Sequence, residues 1–282
     1  MHNWDFRNPV NQRGLWEYGG PSGLMYTIDR WALILSGANS ARLNVTDGGI
    51  ILTNITGGWR TFFQVVEHSH LYAGLDLTFS VDVDSTIHSW TGNVGDISVD
   101  GYIIGFPTIP GTNWSPLIQK TNSQLRVVIR GTVAETCITL RRVKLELGTV
   151  STLANDPPMD FGRELAVCQR FYEKSYSYSV SPGQESIQGM TTFRTNNAIG
   201  IHLFDFRYAV KKRISPTITV FSVDGTQGNV SGLTNPIDAS SRNDIPILTQ
   251  SAWRNDNNGA IAVVALAAHG AYAFHWTASA DL

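Results

Sequence analysis

Tryptophans beside short polar side chains are the residues of this chain best suited to bind a ligand. Trp90 is followed closely by Asn93, and Asn113 directly precedes Trp114, in stretches rich in glycine, serine and threonine. A flat indole ring can stack on the apolar face of a sugar while an amide hydrogen-bonds the sugar's hydroxyl groups. Because the polar surroundings predict turns, we expect these four residues to lie in glycan-binding loops. The alternative is that both rings cap the ends of a β-sandwich.

A similar loop is predicted near the carboxyl end of the chain. Trp253 and Arg254 precede Asp256 and Asn257 in a polar turn between two apolar stretches. These four residues are the candidate glycan-binding group of a second domain. If several chains displayed this loop around a symmetry axis, multivalency would compensate for weak binding at each single site.

Residues that could support catalysis or bind a metal are scarce. Hydrolysis of a glycosidic bond needs two carboxyl groups facing one cleft, and no convincing pair stands out, although Asp82 and Asp84 share one strand face. His68 and His70 could act as metal ligands, but a third ligand is missing nearby. We therefore predict a protein that is not an enzyme, with no catalytic residue and no metal site. The one cofactor left open is a structural calcium ion held by the aspartates of residues 80–85.

The composition narrows the class of partner. Only 16% of the 282 residues are charged and the formal net charge is −2, so the basic field that attracts nucleic acid is missing. The start of the chain lacks the apolar core of a signal peptide, and the longest apolar run, 260–268, is about half of what a membrane span requires. We expect a soluble protein that neither binds nucleic acid nor inserts into a membrane. Whether residue 1 is the natural start stays open.

Alternating apolar and polar residues predict an all-β fold. In the stretch 75–84, for example, Leu77, Phe79, Val81 and Val83 should face a core, whereas Thr78, Ser80 and Asp82 should face water. Before residue 148 the predicted strands are 25–35, 41–45, 49–54, 59–67, 75–84, 96–106, 124–130 and 136–147. After residue 186 they are 187–194, 198–206, 217–222, 245–253, 260–268 and 271–278. The first group fits a two-sheet jelly roll and the second a smaller β-sandwich. The predicted domains are 1–152 and 179–282, joined by a linker and short α-helix at 153–178.

The helix is predicted to begin after two prolines. Pro157 and Pro158 stop any strand, and the Asp160 carboxylate can cap the first helical turn. The apolar residues that follow are spaced by four, three and four: Phe161, Leu165, Cys168 and Tyr172. This is the narrow stripe of a coiled-coil seam. The stripe packs either on a neighbouring β domain or on symmetry-related chains, and the second alternative makes these four residues the candidate oligomer contact.

Three parts of the chain carry a further resemblance. They are DFRNPVNQRG at 5–14 with YTIDRW at 26–31, KLELG at 144–148 with ELAVCQRFY at 164–172, and FHWTA at 274–278. Together they resemble the distal region of bacteriophage and prophage tail-fibre proteins. The resemblance covers most of the chain and implies an amino-terminal jelly roll like a carbohydrate-binding module, a helical junction and a carboxyl-terminal β domain.

The resemblance also implies a role and an assembly. Its implied function is non-catalytic recognition of a bacterial surface glycan during host adsorption. It further implies a homotrimer that contacts other tail proteins at the tip of the virion tail, after assembly in the cytoplasm of the bacterial host. The alternatives are a polysaccharide-degrading tailspike or other glycan-active enzyme, and a purely structural fibre segment. The glycan, the host and the domain that binds stay open.

Overall fold

Strands dominate the computed structural model of the chain. The described residues are 4–20, 22–36, 40–195, 200–233, 242–246, 254–266 and 270–281. They belong to two units: the first combines Met1–Val10 with Leu15–Glu164, and the second combines Asn11–Gly14 with Leu165–Leu282. The predicted all-β fold of packed sheets is confirmed. The units divide within the helix α1 (Phe161–Gln169), whereas the sequence predicted limits at 152 and 179.

The described residues of the first unit form twelve strands in two sheets. The strands are β1 (Glu17–Tyr18), β2 (Gly23–Tyr26), β3 (Ala32–Leu35), β4 (Ala41–Thr46), β5 (Gly49–Asn54), β6 (Arg60–Val66), β7 (Asp76–Val83), β8 (Thr86–Asn93), β9 (Gly101–Ile104), β10 (Trp114–Thr121), β11 (Gln124–Gly131) and β12 (Thr136–Leu147). The first sheet has the order β1-β4-β5-β12-β7-β8, and the second β2-β3-β6-β11-β10-β9. Neighbouring strands are antiparallel throughout, so the unit is a jelly-roll-like sandwich.

Strand β7 shows how the core of the first unit forms. Its predicted inward row is confirmed, because the side chains of that row are buried: Leu77, Phe79, Val81 and Val83. The prediction that its other face meets water is wrong, since Thr78 and Ser80 are also buried. The segment 148–156 runs over them, with the Thr78 hydroxyl donating to the Gly148 carbonyl at 2.7 Å and Ser80 bonding Ser151 at 2.7 Å. This strand is therefore covered on both faces.

The amino-terminal segment is fixed to the first unit by packing, and an ion pair within the segment holds its own conformation. The ring of Phe6 meets Trp31 edge-on at 5.3 Å, and Trp31 stacks on Phe62 at 4.6 Å. All three are fully buried. Asp5 accepts two hydrogen bonds from the Arg7 guanidinium, at 2.7 and 2.6 Å. The segments at 5–14 and 26–31 thus supply residues that hold the sandwich together.

The described residues of the second unit form nine strands. They are β13 (Tyr172–Lys174), β14 (Thr191–Thr195), β15 (Gly200–Arg207), β16 (Thr217–Phe221), β17 (Asn229–Leu233), β18 (Arg242–Pro246), β19 (Arg254–Asn255), β20 (Gly259–Leu266) and β21 (Gly270–Ser279). The long strand β21 pairs with β13, β14, β16 and β17, while β15, β20 and β19 form a separate sheet. Phe274 and Trp276 on β21 are buried.

Helix α1 begins as predicted but ends too early to carry the whole apolar stripe. The Asp160 carboxylate accepts the backbone N–H of Arg163 at 3.1 Å, which is the expected cap. Tyr172 belongs to β13, and Cys168 and Tyr172 are buried within the chain itself. The expected contact between chains through Phe161, Leu165, Cys168 and Tyr172 therefore lacks half of its exposed surface. Among the described residues, no helix is long and apolar enough to cross a membrane.

A buried ion pair lies where α1 ends in the second unit. The side chain of Lys212 is 0% exposed and contacts the carboxylate of Glu173. Lys212 Nζ also donates to the carbonyl of Gln169, the last residue of α1, at 2.5 Å. Burial lowers the pKa of Lys212, and the bond to Glu173 opposes that effect. The pair therefore satisfies a helix carbonyl that would otherwise lack a donor.

Candidate functional site

The first predicted glycan-binding pair, Trp90 and Asn93, does not lie in a loop. Both residues belong to β8 at the edge of the first sheet, where Trp90 stands opposite Phe79 and packs partly against the core. The Asn93 amide donates to Asp76 at 2.7 Å and its oxygen accepts the N–H of Gly95 at 2.9 Å. Because its amide is occupied by the turn that follows the strand, Asn93 is poorly placed to bond a sugar.

The prediction that Trp114 is an exposed stacking ring is wrong. Trp114 opens β10 and is 2% exposed in the core of the first unit. It stands opposite Gly131, and a Cβ atom at that position would lie 2.9 Å from the ring. The ring thus fills the space left by the missing side chain of Gly131. Asn113 beside it is exposed but loses its proposed aromatic partner.

The predicted loop of the second domain is described only in part. Trp253 lies outside the described residues, and Arg254 is the first residue of β19. The Asp256 carboxylate accepts the backbone N–H groups of Asn258 at 2.8 Å and of Gly259 at 3.1 Å. The carbonyl of Asn257 accepts the N–H of Lys212 at 2.7 Å. Asp256 and Asn257 therefore hold the β19–β20 turn in place.

The carboxylates and histidines considered for metal binding do not converge. Asp82 is buried and accepts two hydrogen bonds from Arg142, at 2.9 and 2.8 Å. Asp84 is exposed in the turn after β7. The rings of His68 and His70 lie 6.2 Å apart on the surface, and no group of three metal-ligating side chains occurs in the part of the chain that the structure describes. Asp82 is thus a structural partner of Arg142.

A cluster of exposed aromatic rings lies instead on the second sheet. We call Trp59, Tyr102, Phe106 and Arg130 the aromatic cluster. Trp59 is 60% exposed, and Tyr102 and Phe106 are each more than two-fifths exposed. The centroid of Phe106 lies 6.2 Å from that of Trp59 and 4.7 Å from that of Tyr102. Exposed rings grouped in this way are characteristic of binding sites.

Strand register brings the cluster together on the outer face of the second sheet. Thr61, Arg130 and Ser115 stand opposite one another on β6, β11 and β10, while Tyr102 on β9 stands opposite Gln119 on β10. Side chains directly opposite each other point to the same side of a sheet. Thr61, Ser115 and Gln119 are half-buried, so they can supply hydrogen-bonding groups beside the rings.

The turn before β6 fixes Trp59. Gly57 and Gly58 have φ angles of +75° and +78°, in the left-handed region that favours glycine. The Asn54 amide ties the turn, donating to the Gly58 carbonyl and accepting the Gly57 N–H, each at 3.1 Å. Arg60 donates to the carbonyl of Trp59 at 3.0 Å, and its burial lowers the pKa of its guanidinium. The backbone that presents the indole ring is therefore held from both sides.

Phe106 is held in a strained conformation. Its φ angle is +50°, which a bulky residue other than glycine seldom adopts. Such strain costs about 1–3 kcal/mol and persists where the surrounding structure or function requires it. Here it places an exposed phenyl ring beside Trp59 and Tyr102. The strain thus contributes to a surface that the core of the sandwich does not need.

Arg130 lies under the rings. Its guanidinium carbon is 4.6 Å from the centre of the Trp59 ring and 5.4 Å from that of Phe106. The side chain is only 6% exposed, and its Nε and Nη1 groups have no hydrogen-bond partner among the described residues. Buried guanidinium groups normally have hydrogen-bonded partners, so leaving these groups without one costs free energy. Cation–π attraction to the two rings offsets part of this cost. The same sheet face carries Arg126, whose Nε is also buried without a partner.

A recess beside β12 is a weaker candidate for a binding site. It has a volume of about 260 Å³ and is lined by Trp4, Val143, Lys144, Leu145, Asp156 and Pro157. Its charged groups already bind each other, because Lys144 Nζ lies 2.7 Å from the Asp156 carboxylate. Lys144 also contacts Glu146 at 3.0 Å. Burial acts to raise the pKa of Glu146, but hydrogen bonds from Thr152 and the contact with Lys144 outweigh it and lower that pKa. These groups fix the segment after β12.

The aromatic cluster was missed at the sequence level, although part of its signal is visible there. Two consecutive glycines precede Trp59, and such a pair predicts a tight turn that displays the next side chain. Tyr102, Phe106 and Arg130 carry no comparable local signal. Comparison of the chain with models of known protein families, with curated proteins and with solved structures finds no match.

Proposed function

We propose that this chain is a bacteriophage tail-fibre receptor-binding protein that recognises a bacterial surface glycan without degrading it. The role rests on the resemblance of the segments at 5–14, 26–31, 144–148, 164–172 and 274–278. The observation that supports glycan binding is the aromatic cluster on the second sheet. Its exposed rings can stack on sugars, and polar side chains flank them. The protein would act at the tip of the virion tail.

Replacing Trp59 with alanine should weaken glycan binding at least tenfold. The ring contributes the most exposed stacking area of the cluster, and a few aromatic residues usually dominate binding energy. Because the side chain is exposed, stability should change little. Binding is measured on an array of bacterial surface polysaccharides, with circular dichroism to confirm folding. Phe106→Gly should also weaken binding. Its stability should change little, because the relief of backbone strain offsets the stability lost with the ring contacts.

Trp16→Ala is the matched control. Trp16 is 68% exposed and precedes β1 at the edge of the first sheet. Its loss removes an equally exposed indole ring away from the aromatic cluster, so glycan binding should remain at the wild-type level. Equal losses in the Trp16 and Trp59 variants, or no loss in either, would contradict the placement of the glycan on the second sheet.

The proposed role includes assembly as a homotrimer that joins other tail proteins. Light scattering of the purified chain at micromolar concentration should give a mass near three times 31.0 kDa. Symmetric display of three clusters would strengthen adsorption to a repetitive surface. A monomeric mass would contradict the assembly while leaving glycan binding by a single chain to be judged from the array.

A further inference from the structure

On the outer face of the second sheet, the charged residues within the strands are all positive. Arg126 and Arg130 on β11 are the charged residues of that face within β2, β3, β6, β9, β10 and β11. The remaining positions are apolar, aromatic, hydroxyl or amide side chains. The acidic residues Glu67 and Asp100 lie just beyond the ends of β6 and β9. The face therefore favours ligands that carry negative charge.

Arg126 and Arg130 differ from two other arginines of this unit. Arg7 and Arg142 bind carboxylates, at 2.6 and 2.8 Å. Arg126 and Arg130 instead lie against aromatic rings, with the Arg126 guanidinium 5.3 Å from Phe63. The buried Nε of Arg126, and the buried Nε and Nη1 of Arg130, have no acceptor among the described residues. A guanidinium group prefers a planar carboxylate, which it can bind through two parallel hydrogen bonds. A ligand carboxylate would supply the hydrogen-bond acceptor that these guanidinium groups lack among the described residues.

We infer that the glycan bound on this face is acidic, with uronic-acid carboxylates that pair with Arg126 and Arg130 while its sugar rings stack on Trp59, Tyr102 and Phe106. This inference rests on the proposed function. The two arginines are four residues apart, which is about 13 Å of strand. One sugar cannot reach both, so the fitting ligand is a polymer that carries repeated carboxylates.

The test uses pairs of polysaccharides that differ only in charge. Polygalacturonate and polyglucuronate are each compared with their carboxyl-reduced neutral forms, using the full chain and biolayer interferometry. The wild type should bind the acidic polymer of at least one pair ten or more times more tightly than its neutral form. Raising the salt concentration from 50 to 500 mM should weaken only the binding of the acidic polymer.

Arg126→Gln should lower affinity for the acidic polymer about tenfold and leave affinity for the neutral form unchanged. Arg126 is half-buried at the surface, so its loss disturbs the packing less than loss of Arg130. Arg42→Gln is the control, because it removes the same charge from a half-exposed residue of the first sheet. It should bind like the wild type.

The outcomes separate the two proposals. Equal affinity for both members of each pair, or equal effects of Arg126→Gln and Arg42→Gln, would overturn the inference while supporting glycan binding on this face or elsewhere. Binding to no acidic or neutral polymer of either pair would overturn the inference and count against the proposed function itself. Weaker binding of Trp59→Ala to both members of a pair, together with an unchanged charge preference in Arg126→Gln, would support the glycan site and overturn the role of Arg126.

Discussion

Replacing Trp114 with alanine should lower the free energy of unfolding by about 3–5 kcal/mol. The indole ring is 2% exposed and rests against Gly131, so its removal leaves a cavity that rigid neighbouring strands cannot fill. The loss should appear as an earlier transition in chemical denaturation followed by circular dichroism. Glycan binding should remain under conditions in which the variant is still folded.

Two comparisons make this prediction specific. Trp114→Phe should cost much less, because phenylalanine fills most of the site and removes an indole N–H that has no hydrogen-bond partner among the described residues. Trp59→Ala should show the reverse pattern, with weak binding and nearly unchanged stability. If Trp114→Ala were as stable as the wild type but failed to bind glycan, the original assignment of Trp114 to a binding loop would be restored.

The sequence predicted the fold better than the site because strand alternation is a local signal. The row from Leu77 to Val83 alternates without interruption, and β7 follows within one residue of the predicted 75–84. The stretch 25–35 was predicted as one strand but is two, β2 and β3. The turn between them uses Arg30 at a φ of +74°, where no glycine marks the bend. Such a turn gives no compositional warning.

The sequence did not predict strands β8 and β10, which carry Trp90 and Trp114, for identifiable reasons. Strand β8 is polar and exposed along much of its length, as suits an edge of the sheet. Strand β10 contains Pro116, which normally argues against an inner strand. Here β9 pairs with β10 only from Ile118 onward, so the proline lies beyond that ladder. The polarity of β8 and the proline of β10 therefore predicted loops where the structure has strands.

The aromatic cluster could not be predicted from residue type alone. Trp59 and Arg130 are tens of residues away from Tyr102 and Phe106 in the sequence. They meet these two residues only because β6, β11, β10 and β9 adopt one register. A shift of one residue in any pairing would reverse the face on which a side chain lies. Site prediction therefore required the order of strands, which hydrophobic periodicity does not determine.

Lys212→Met should destabilise the second unit by about 3–5 kcal/mol. The substitution leaves the Glu173 carboxylate buried without its cation and removes the donor to the Gln169 carbonyl. Adding Glu173→Leu should recover much of the loss, because the double variant no longer buries an unpaired charge. The four free energies of unfolding form a double-mutant cycle, measured by denaturation at pH 7.

A surface ion pair provides the comparison for Lys212. Arg42 lies 3.6 Å from Glu17 with both side chains about half exposed, so Arg42→Met should change stability by less than about 1 kcal/mol. Burial, and not the number of charges, sets the expected difference between the two sites. A Lys212→Met variant as stable as Arg42→Met would mean that Glu173 finds another partner or reaches water. The end of α1 would then depend on the remaining backbone hydrogen bonds, such as that from the Phe171 N–H to the Cys168 carbonyl at 2.9 Å.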